Sequence, residues 1–107
     1  APTNAAFDAA AEALIGPGAT GEELIDSLDK KTLRQILLYH VVFGELFSED
    51  VLARDHFRTL AWKPLGRDGT TLKGVGSDAD LVLELIDIDA RNGVIHVINF
   101  VLLPFEP

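Results

Sequence analysis

The sequence predicts a single domain of the α+β class, and three features support this prediction. The first half carries apolar residues at helical spacing behind capping residues, whereas β-branched runs separated by turns begin near His56. Helices grouped ahead of strands are typical of α+β folds. The length of 107 residues, 48% of them hydrophobic, suits one domain with its own core, so residues 1–107 are treated as one unit.

Two helices are expected around a glycine-rich turn near the start of the chain. Thr3 or Asn4 can cap a first helix that runs to about Leu14. The apolar residues on one face of this helix are Phe7, Ala10, Ala11 and Leu14. The Gly-Pro-Gly sequence at residues 16–18 ends that helix. Thr20 then has capping-box spacing with the glutamate three residues later, which predicts a short second helix.

A third helix is expected from Asp29, whose carboxylate can cap it. Its apolar stripe at helical spacing consists of Leu33, Ile36, Leu37 and His40. Gly44 breaks this pattern. The acidic residues after Ser48 suit the first turn of a fourth helix, with Ser48 as its cap.

Four strands are expected in the second half, each bounded by turn-forming residues. They are predicted over residues 57–62, 70–75, 81–88 and 94–103, with turns at residues 66–69, 76–78 and 90–93. Pro64 should end the first strand, because proline cannot donate a hydrogen bond to a sheet. The last strand is almost wholly apolar, which predicts burial on both of its faces.

The composition excludes several classes of function. With 17 acidic and 9 basic residues, the chain has a net charge of -8, and nucleic acid and anionic membranes are poor partners for it. No apolar run approaches the roughly 18 residues of a membrane span, so membrane insertion is not expected. The chain contains no cysteine, which removes disulfides, thiolate catalysis and cysteine-based zinc sites.

Three motifs carry the most specific signal. An Asn-Gly turn at residues 92–93 leads into an apolar run with one embedded histidine, which stops at Pro104. A second motif, Leu-Leu-Tyr-His-Val-Val, occupies residues 37–42, and Ala-Pro-Thr-Asn-Ala-Ala-Phe occupies residues 1–7. In this order and at this spacing, the three motifs resemble the fasciclin domain, a module of secreted and cell-surface proteins.

The resemblance implies a wedge or sandwich of β-strands with several short helices packed at one end, which agrees with the α+β class. It covers essentially the whole chain. Fasciclin domains normally carry an N-terminal helix and a first strand ahead of the Ala-Pro-Thr motif. The domain over residues 1–107 is therefore expected to be N-terminally incomplete, with those elements missing or outside this chain.

The resemblance also implies a non-catalytic adhesion or interaction module that is secreted, periplasmic or on the cell surface. Its partner would be a cell-surface or matrix protein or a polysaccharide, with weak self-association as a further contact. The missing cysteines and glycosylation sequons favour a bacterial source. Two alternatives stay open: a structural segment of a larger surface protein completed by residues outside this chain, and a small-ligand-binding or hydrolytic domain.

Several motif residues are candidates for binding or for structural support. By resemblance, Tyr39 and His40 form an adhesion motif, although the place of His40 on an apolar stripe favours a core histidine bonded to backbone. His96 lies in an apolar strand and has the same interpretation. The Asn92–Gly93 pair forms the turn. Asn99 stands where the family usually has Asp, and its amide oxygen can still accept a backbone N–H.

Acidic pairs in the second half are further candidates. Asp87 and Ile88 match the place where some animal fasciclin domains carry short integrin-recognition peptides. The alternative is that both acidic pairs belong to a solvated strand edge or turn. These pairs are Asp87 with Asp89, and Asp78 with Asp80. Neither pair has the pattern of a calcium-binding loop.

Trp62 is the single tryptophan and is expected near a sheet edge. Exposed beside Phe57 and Leu65, it would be a surface anchor for a partner, because aromatic residues dominate interface hot spots. Partial burial in the core is the commoner outcome for a tryptophan, and it is the expectation here.

Neither a catalytic nor a metal-binding constellation is predicted. Ser48, His56 and an aspartate could form a triad, but no Gly-x-Ser-x-Gly elbow surrounds the serine. His40 and His96 could form a metal pair, yet no third ligand lies close to either in the sequence. There is no glycine-rich phosphate loop or dinucleotide fingerprint, so no catalytic residue, metal or cofactor is assigned.

Overall fold

The computed structural model describes residues 1–107 and confirms the α+β class. Its helices are α1 (Asn4–Leu14), α2 (Gly21–Ser27), α3 (Lys30–Tyr39) and α4 (Ser48–Leu52). Its strands are β1 (His56–Arg58), β2 (Pro64–Asp68), β3 (Thr71–Lys73), β4 (Asp78–Asp80), β5 (Ile88–Ala90) and β6 (Gly93–Ile95), with a short 3₁₀ helix at Leu83–Leu85.

The first three helices begin at the predicted capping residues. The Thr3 hydroxyl accepts the third backbone N–H of α1 at 3.0 Å. Thr20 does the same for α2 at 3.2 Å, and the Asp29 carboxylate does so for α3 at 2.7 Å. Each cap satisfies a backbone N–H that has no partner within its helix.

The fourth helix is capped differently from the prediction. Ser48 is its first residue and not its cap, which is Phe47. A phenylalanine side chain cannot accept a hydrogen bond, so the free N–H groups find carboxylates instead. Asp50 accepts the Phe47 N–H at 3.1 Å, and Asp87 accepts the Ser48 N–H at 2.6 Å.

Strands β1 to β4 form an antiparallel sheet in chain order, and their boundaries correct the first two predicted strands. The strand expected over residues 57–62 ends at Arg58, and the turn expected at residues 66–69 lies mostly within β2. Pro64 begins β2 instead of ending β1, a position where proline costs no ladder hydrogen bond. The tight turn between β2 and β3 is at Gly69, whose φ of 61° favours glycine.

The last two predicted strands are also wrong in part. Residues 81–88 contain the 3₁₀ helix, and only residues 88–90 pair with β6 as a hairpin. The regular strand expected to reach residue 103 ends at Ile95. Beyond Ile95 the chain has no single partner strand, since Ile98 forms isolated bridges with both Leu81 and Pro2. A continuous ladder would need one partner strand.

Two clusters of buried apolar residues join the helices to the strands. The larger consists of Tyr39, Val51, Phe57, Ala61, Leu65, Leu72, Ala79, Leu81, Ile98 and Leu102. The smaller packs α1 and α2 against α3 and consists of Ala10, Ala11, Leu24, Ile36, Val101 and Leu103. The extended C-terminal segment feeds both clusters, since alternate side chains along it point to opposite sides. Burial on both faces is therefore confirmed for residues 101–103, but Ile95 is 40% exposed.

Candidate interaction surface and the histidine motifs

Tyr39 lies at the end of α3 with none of its surface exposed. Its hydroxyl donates to the Pro64 carbonyl oxygen at 2.7 Å and accepts the Val75 N–H at 3.2 Å. Burial raises the pKa of Tyr39, so the hydroxyl stays protonated. The side chain therefore joins α3 to the start of β2 and to the segment after β3, and it cannot touch a partner directly.

His40 follows Tyr39 and is half-buried. Its Nδ1 lies 2.7 Å from the Ile36 carbonyl oxygen, and its Nε2 lies 2.9 Å from the Leu102 nitrogen. A carbonyl only accepts, so Nδ1 carries the proton and Nε2 accepts the Leu102 N–H. Burial lowers the pKa of His40 from 6.5 to about 4. The neutral ring therefore ties α3 to the C-terminal segment.

His96, the residue after β6, performs a similar task. Its Nε2 donates to the Leu46 carbonyl oxygen at 2.7 Å, and its Nδ1 accepts the Asp87 N–H at 3.1 Å. Both ring nitrogens of each histidine are thus engaged with backbone groups. Within residues 1–107, no group of three or more His, Cys, Asp or Glu side chains is arranged to hold a metal ion.

Asp87 lies just ahead of β5 with a positive φ of 57°. Its Oδ1 accepts the Ser48 N–H at 2.6 Å, and its Oδ2 accepts the Ser48 hydroxyl at 2.5 Å. These two bonds lower the pKa of the Asp87 carboxyl. Ser48 therefore donates to an aspartate, and no hydrogen bond joins it to His56. The hypothetical triad of Ser48, His56 and an aspartate has no such bond to support it.

The β5–β6 hairpin displays Ile88 and turns at Arg91 and Asn92, because Gly93 already pairs with Ala90 as the first residue of β6. The turn expected at Asn92–Gly93 therefore lies one residue earlier in the chain. Ile88 pairs directly with Ile95 across the hairpin, and the two side chains are 39% and 40% exposed. Asn99 lies further along, where its side-chain oxygen accepts the Asp80 N–H at 2.8 Å. An amide serves here as well as a carboxylate would, because the acceptor oxygen is what the backbone requires.

The other acidic pair is engaged within the sheet. Asp78 forms an ion pair with Lys73 at 3.1 Å, and Asp80 accepts the Thr71 hydroxyl at 2.5 Å. Both contacts join β3 to β4 across the ladder. They are cross-strand pairs of the kind that stabilise sheets.

Trp62 is 76% exposed, so the expectation of burial is wrong. The turn that carries it is fixed by Thr59, which is fully buried and donates its hydroxyl to the Lys63 carbonyl oxygen at 2.7 Å. Ala61 occupies the core position that the tryptophan was expected to take. The Trp62 ring packs outside against Phe43, with ring centroids 5.5 Å apart and planes at 44°. The sequence reasoning missed Phe43, since nothing local links residues 43 and 62.

A cavity of about 420 Å³ opens between the hairpin and the end of α3. Thirteen of its 18 lining residues are hydrophobic. Strand β6 lines one wall, and it pairs only with β5, so its second edge is unpaired. Ala1 lines the rim, where its carbonyl oxygen accepts the Ile98 N–H at 3.0 Å. The cavity is thus an apolar space beside an unpaired strand edge.

The family model for the fasciclin domain matches residues 1–104, so this chain belongs to the fasciclin-domain family. Fasciclin domains are generally linked to adhesion or protein interaction and are generally non-catalytic. They are typically extracellular or at a surface. No helix of this chain has the length and apolar character needed to cross a membrane.

Two curated relatives come from Synechocystis sp. (strain ATCC 27184 / PCC 6803 / Kazusa). "Protein sll1483" is 38% identical over 104 residues, which cover 97% of this chain and 53% of the relative. "Uncharacterized protein sll1735" is 34% identical over 103 residues, which cover 96% of this chain and 69% of that protein. The chain therefore spans about half the length of the first relative. No solved structure gives a significant match.

Proposed function

We propose that this domain is a non-catalytic adhesion or interaction module that acts outside the cytoplasm and binds a surface or matrix protein or a polysaccharide. The observation that supports this proposal most is the hydrogen bonding of the side chains in the sequence motifs. Tyr39, His40 and His96 direct all their polar atoms at backbone groups of the same chain. They build a rigid scaffold and leave recognition to the exposed residues.

The β5–β6 hairpin is the proposed contact for that partner. Ile88 and Ile95 form an exposed apolar pair, and Asp87 beside them is exposed and binds Ser48. Tyr39 and His40 support binding indirectly in this proposal, because they hold α3 against the sheet. A rigid surface loses little conformational entropy on binding, which favours affinity.

A binding assay with matched variants tests this proposal. The purified domain is immobilised and exposed to envelope-protein and polysaccharide fractions of the source organism. Ile88→Ala should reduce capture at an unchanged melting temperature, whereas Leu83→Ala, another exposed apolar residue, should not. His40→Ala should reduce capture only in proportion to unfolding. Capture lost in His40→Ala with an unchanged melting temperature would contradict the indirect role of the histidine.

A second function is favoured by the apolar cavity: this chain would be the structural part of a larger surface protein, completed by residues outside it. Ile98 already pairs in parallel with Pro2, so an extended segment could continue that pairing along the free edge of β6. Such a segment would fill the 420 Å³ space with apolar side chains. The larger size of the first relative agrees with this proposal.

Binding of an apolar fluorescent dye, such as anilinonaphthalene sulfonate, tests the second function. The 107-residue chain should bind the dye, and Val94→Phe, which adds volume at the cavity wall, should weaken that binding. A longer version of the protein, with its native preceding residues, should bind no dye. A chain that binds no dye, or a longer version that binds it equally, would contradict the proposal.

A further inference from the structure

The Asn-Gly pair that precedes the apolar run contains a side chain that the fold does not use. Asn92 is exposed, and its amide forms no hydrogen bond within residues 1–107, whereas the Asn99 amide oxygen accepts the Asp80 N–H. Nothing lies within 4 Å of the position that a Cβ would take on Gly93. The side chain of Asn92 and the backbone nitrogen of Gly93 are therefore neighbours with open space around them.

These two groups can react with each other. The Gly93 nitrogen gives up its proton to solvent and attacks Cγ of Asn92, and the adduct releases the side-chain nitrogen as ammonia with a proton taken back from solvent. The product is a five-membered succinimide ring that includes the backbone nitrogen. Water then adds to either carbonyl carbon of the ring, which opens to aspartate or to isoaspartate. One water is consumed and one ammonia is released for each asparagine, and no atom is oxidised or reduced.

Of the three asparagines in the chain, Asn92 is the one placed to react. A glycine at the next position leaves the ring closure unhindered, because it has no Cβ. Asn4 precedes an alanine, and Asn99 precedes a phenylalanine. The backbone of Asn4 is also fixed in α1, and the side-chain oxygen of Asn99 is bound. These two asparagines are controls within the same molecule.

The hairpin that carries Asn92 is weakly closed at this end. It consists of three residue pairs, of which Ala90 with Gly93 is the last, and neither strand pairs with another strand. Two-residue hairpin turns usually need a positive φ to match the twist of the strands, and neither Arg91 nor Asn92 has one. A two-stranded ribbon of this length is marginally stable and opens locally. Opening frees the Gly93 nitrogen from the strand pair, so it can approach the Asn92 side chain.

We propose that Asn92 deamidates in the folded domain and that the isoaspartate it forms opens the end of the β5–β6 hairpin. Isoaspartate adds one carbon atom to the backbone of a turn that has only two residues, so Ala90 and Gly93 lose their present register. The apolar pair Ile88–Ile95 lies at the other end of the same short ribbon and is displaced with it. Deamidation requires only this chain and water, and only its effect on partner binding rests on the proposed function.

Peptide mapping by mass spectrometry tests the reaction on purified, folded protein incubated in neutral and in mildly alkaline buffer. The peptide that contains Asn92 should gain about one dalton, the difference between an amide and a carboxylic acid. Fragment ions should place the whole gain at residue 92 and none at Asn4 or Asn99. The rate should rise with pH, because the attacking nitrogen must lose its proton. A sample unfolded in urea, in which the turn is fully open, gives the upper limit of the rate.

Two variants separate this chemistry from other causes of a mass change. Gly93→Ala should keep the melting temperature, because its Cβ meets nothing, and should slow deamidation roughly tenfold or more. Asn92→Gln keeps the amide but would have to close a six-membered ring, so it should stay unmodified. Equal rates in Gly93→Ala and the unaltered chain would contradict ring closure by the Gly93 nitrogen.

Hydrogen exchange measures what the product does to the hairpin. The isoaspartate form, isolated by chromatography, should lose amide protection over residues 88–95. Asn92→Asp adds the same charge without lengthening the backbone, so it should keep that protection. An isoaspartyl methyltransferase, which leads isoaspartate back to aspartate, should restore the protection. The isoaspartate form should also capture less of the partner fractions than the unaltered chain.

Two further results would overturn the proposal. The first is an Asn92 that stays intact in the folded chain while the unfolded sample reacts, since the hairpin would then be closed. The second is an isoaspartate form whose hairpin keeps its amide protection. Loss of protection without loss of capture would instead contradict the hairpin as the contact for the partner, and it would support the deamidation site.

Discussion

Ser48 and Asp87 lie 39 residues apart in the chain and are joined by two hydrogen bonds. The Asp87 carboxylate accepts the Ser48 N–H at 2.6 Å and the Ser48 hydroxyl at 2.5 Å. The N–H of Asp87 in turn donates to His96. An aspartate from one element thus caps helix α4, and a histidine fixes the aspartate. This chain of contacts joins α4 to the hairpin proposed to bind a partner.

We predict that Asp87→Asn lowers the melting temperature by about 5 °C, because it removes the charge and one acceptor from the start of α4. Asparagine tolerates the positive φ, so the backbone itself should not be strained. Asp89→Asn, two residues on, changes an aspartate outside this contact and should shift the melting temperature by about 1 °C or less. Thermal unfolding by circular dichroism compares the two. Equal shifts would contradict the capping role.

Acid should destabilise the domain through His40. Its pKa is about 4 when folded against 6.5 ordinarily, so the unfolded state takes up the proton first. The stability that the neutral His40 ring contributes is therefore full above pH 6.5 and falls as the pH drops towards 4, by up to about 3 kcal/mol. Urea unfolding at pH 7, 5.5 and 4.5 measures this. His40→Ala should be less stable at pH 7 and should lose most of the slope between pH 6.5 and 4.5.

The lowered pKa of Asp87 affects the stability of the domain in a separate and lower pH range. Its carboxylate contributes stability above the ordinary value of 3.8, and this is lost as the pH falls below it. In the range below pH 6, the slope that remains in His40→Ala should therefore appear only below about pH 4.5. A slope between about pH 4.5 and 6 that survives in this variant would assign the acid sensitivity to another group.

Tyr39→Phe should lower the free energy of unfolding by about 1–3 kcal/mol. The change keeps the buried ring and deletes the hydroxyl, which leaves the Pro64 carbonyl and the Val75 N–H without their partner. Chemical unfolding at neutral pH measures the loss. An unchanged midpoint would mean that water replaces the hydroxyl, and that Tyr39 serves by packing alone.

Gly76→Ala should destabilise the domain by about 2 kcal/mol or more. A Cβ at this position would lie only 1.9 Å from the Phe105 carbonyl oxygen, so the C-terminal segment would have to move. Gly93→Ala is the matched control, because nothing lies within 4 Å of its Cβ position. Comparison of the two melting temperatures checks the prediction. Equal values would show that the C-terminal segment moves freely.

The helices could be predicted from the sequence because their signals are local. Thr3, Thr20 and Asp29 each cap a helix through a residue three positions away, and that spacing is visible in the sequence. The strands were predicted less well, because β2 and β4 lie outside every predicted strand and the strand expected over residues 81–88 contains a 3₁₀ helix. An apolar run such as residues 94–103 does not reveal how many other segments will pair with it, and here Ile98 alone bridges two segments.

Of the candidate site residues, only those with a structural role could be predicted from the sequence. His40 on an apolar stripe predicted a histidine bonded to backbone, and the structure has that arrangement. The pairing of Trp62 with Phe43 and the bonds between Asp87 and Ser48 join residues distant in sequence. No periodicity or capping rule reports such pairs, since they depend on how the sheet and helices finally pack.

The two-sided burial of residues 101–103 also sets the order of events during synthesis. Both core clusters are completed by side chains from this segment, and Ile98 bridges Pro2 across almost the whole chain. Neither cluster can close until residues 98–103 have left the ribosome, so the long loop between Pro2 and Ile98 must close late in folding. Before that point the apolar faces of the helices have no partner, which exposes the incomplete domain to aggregation.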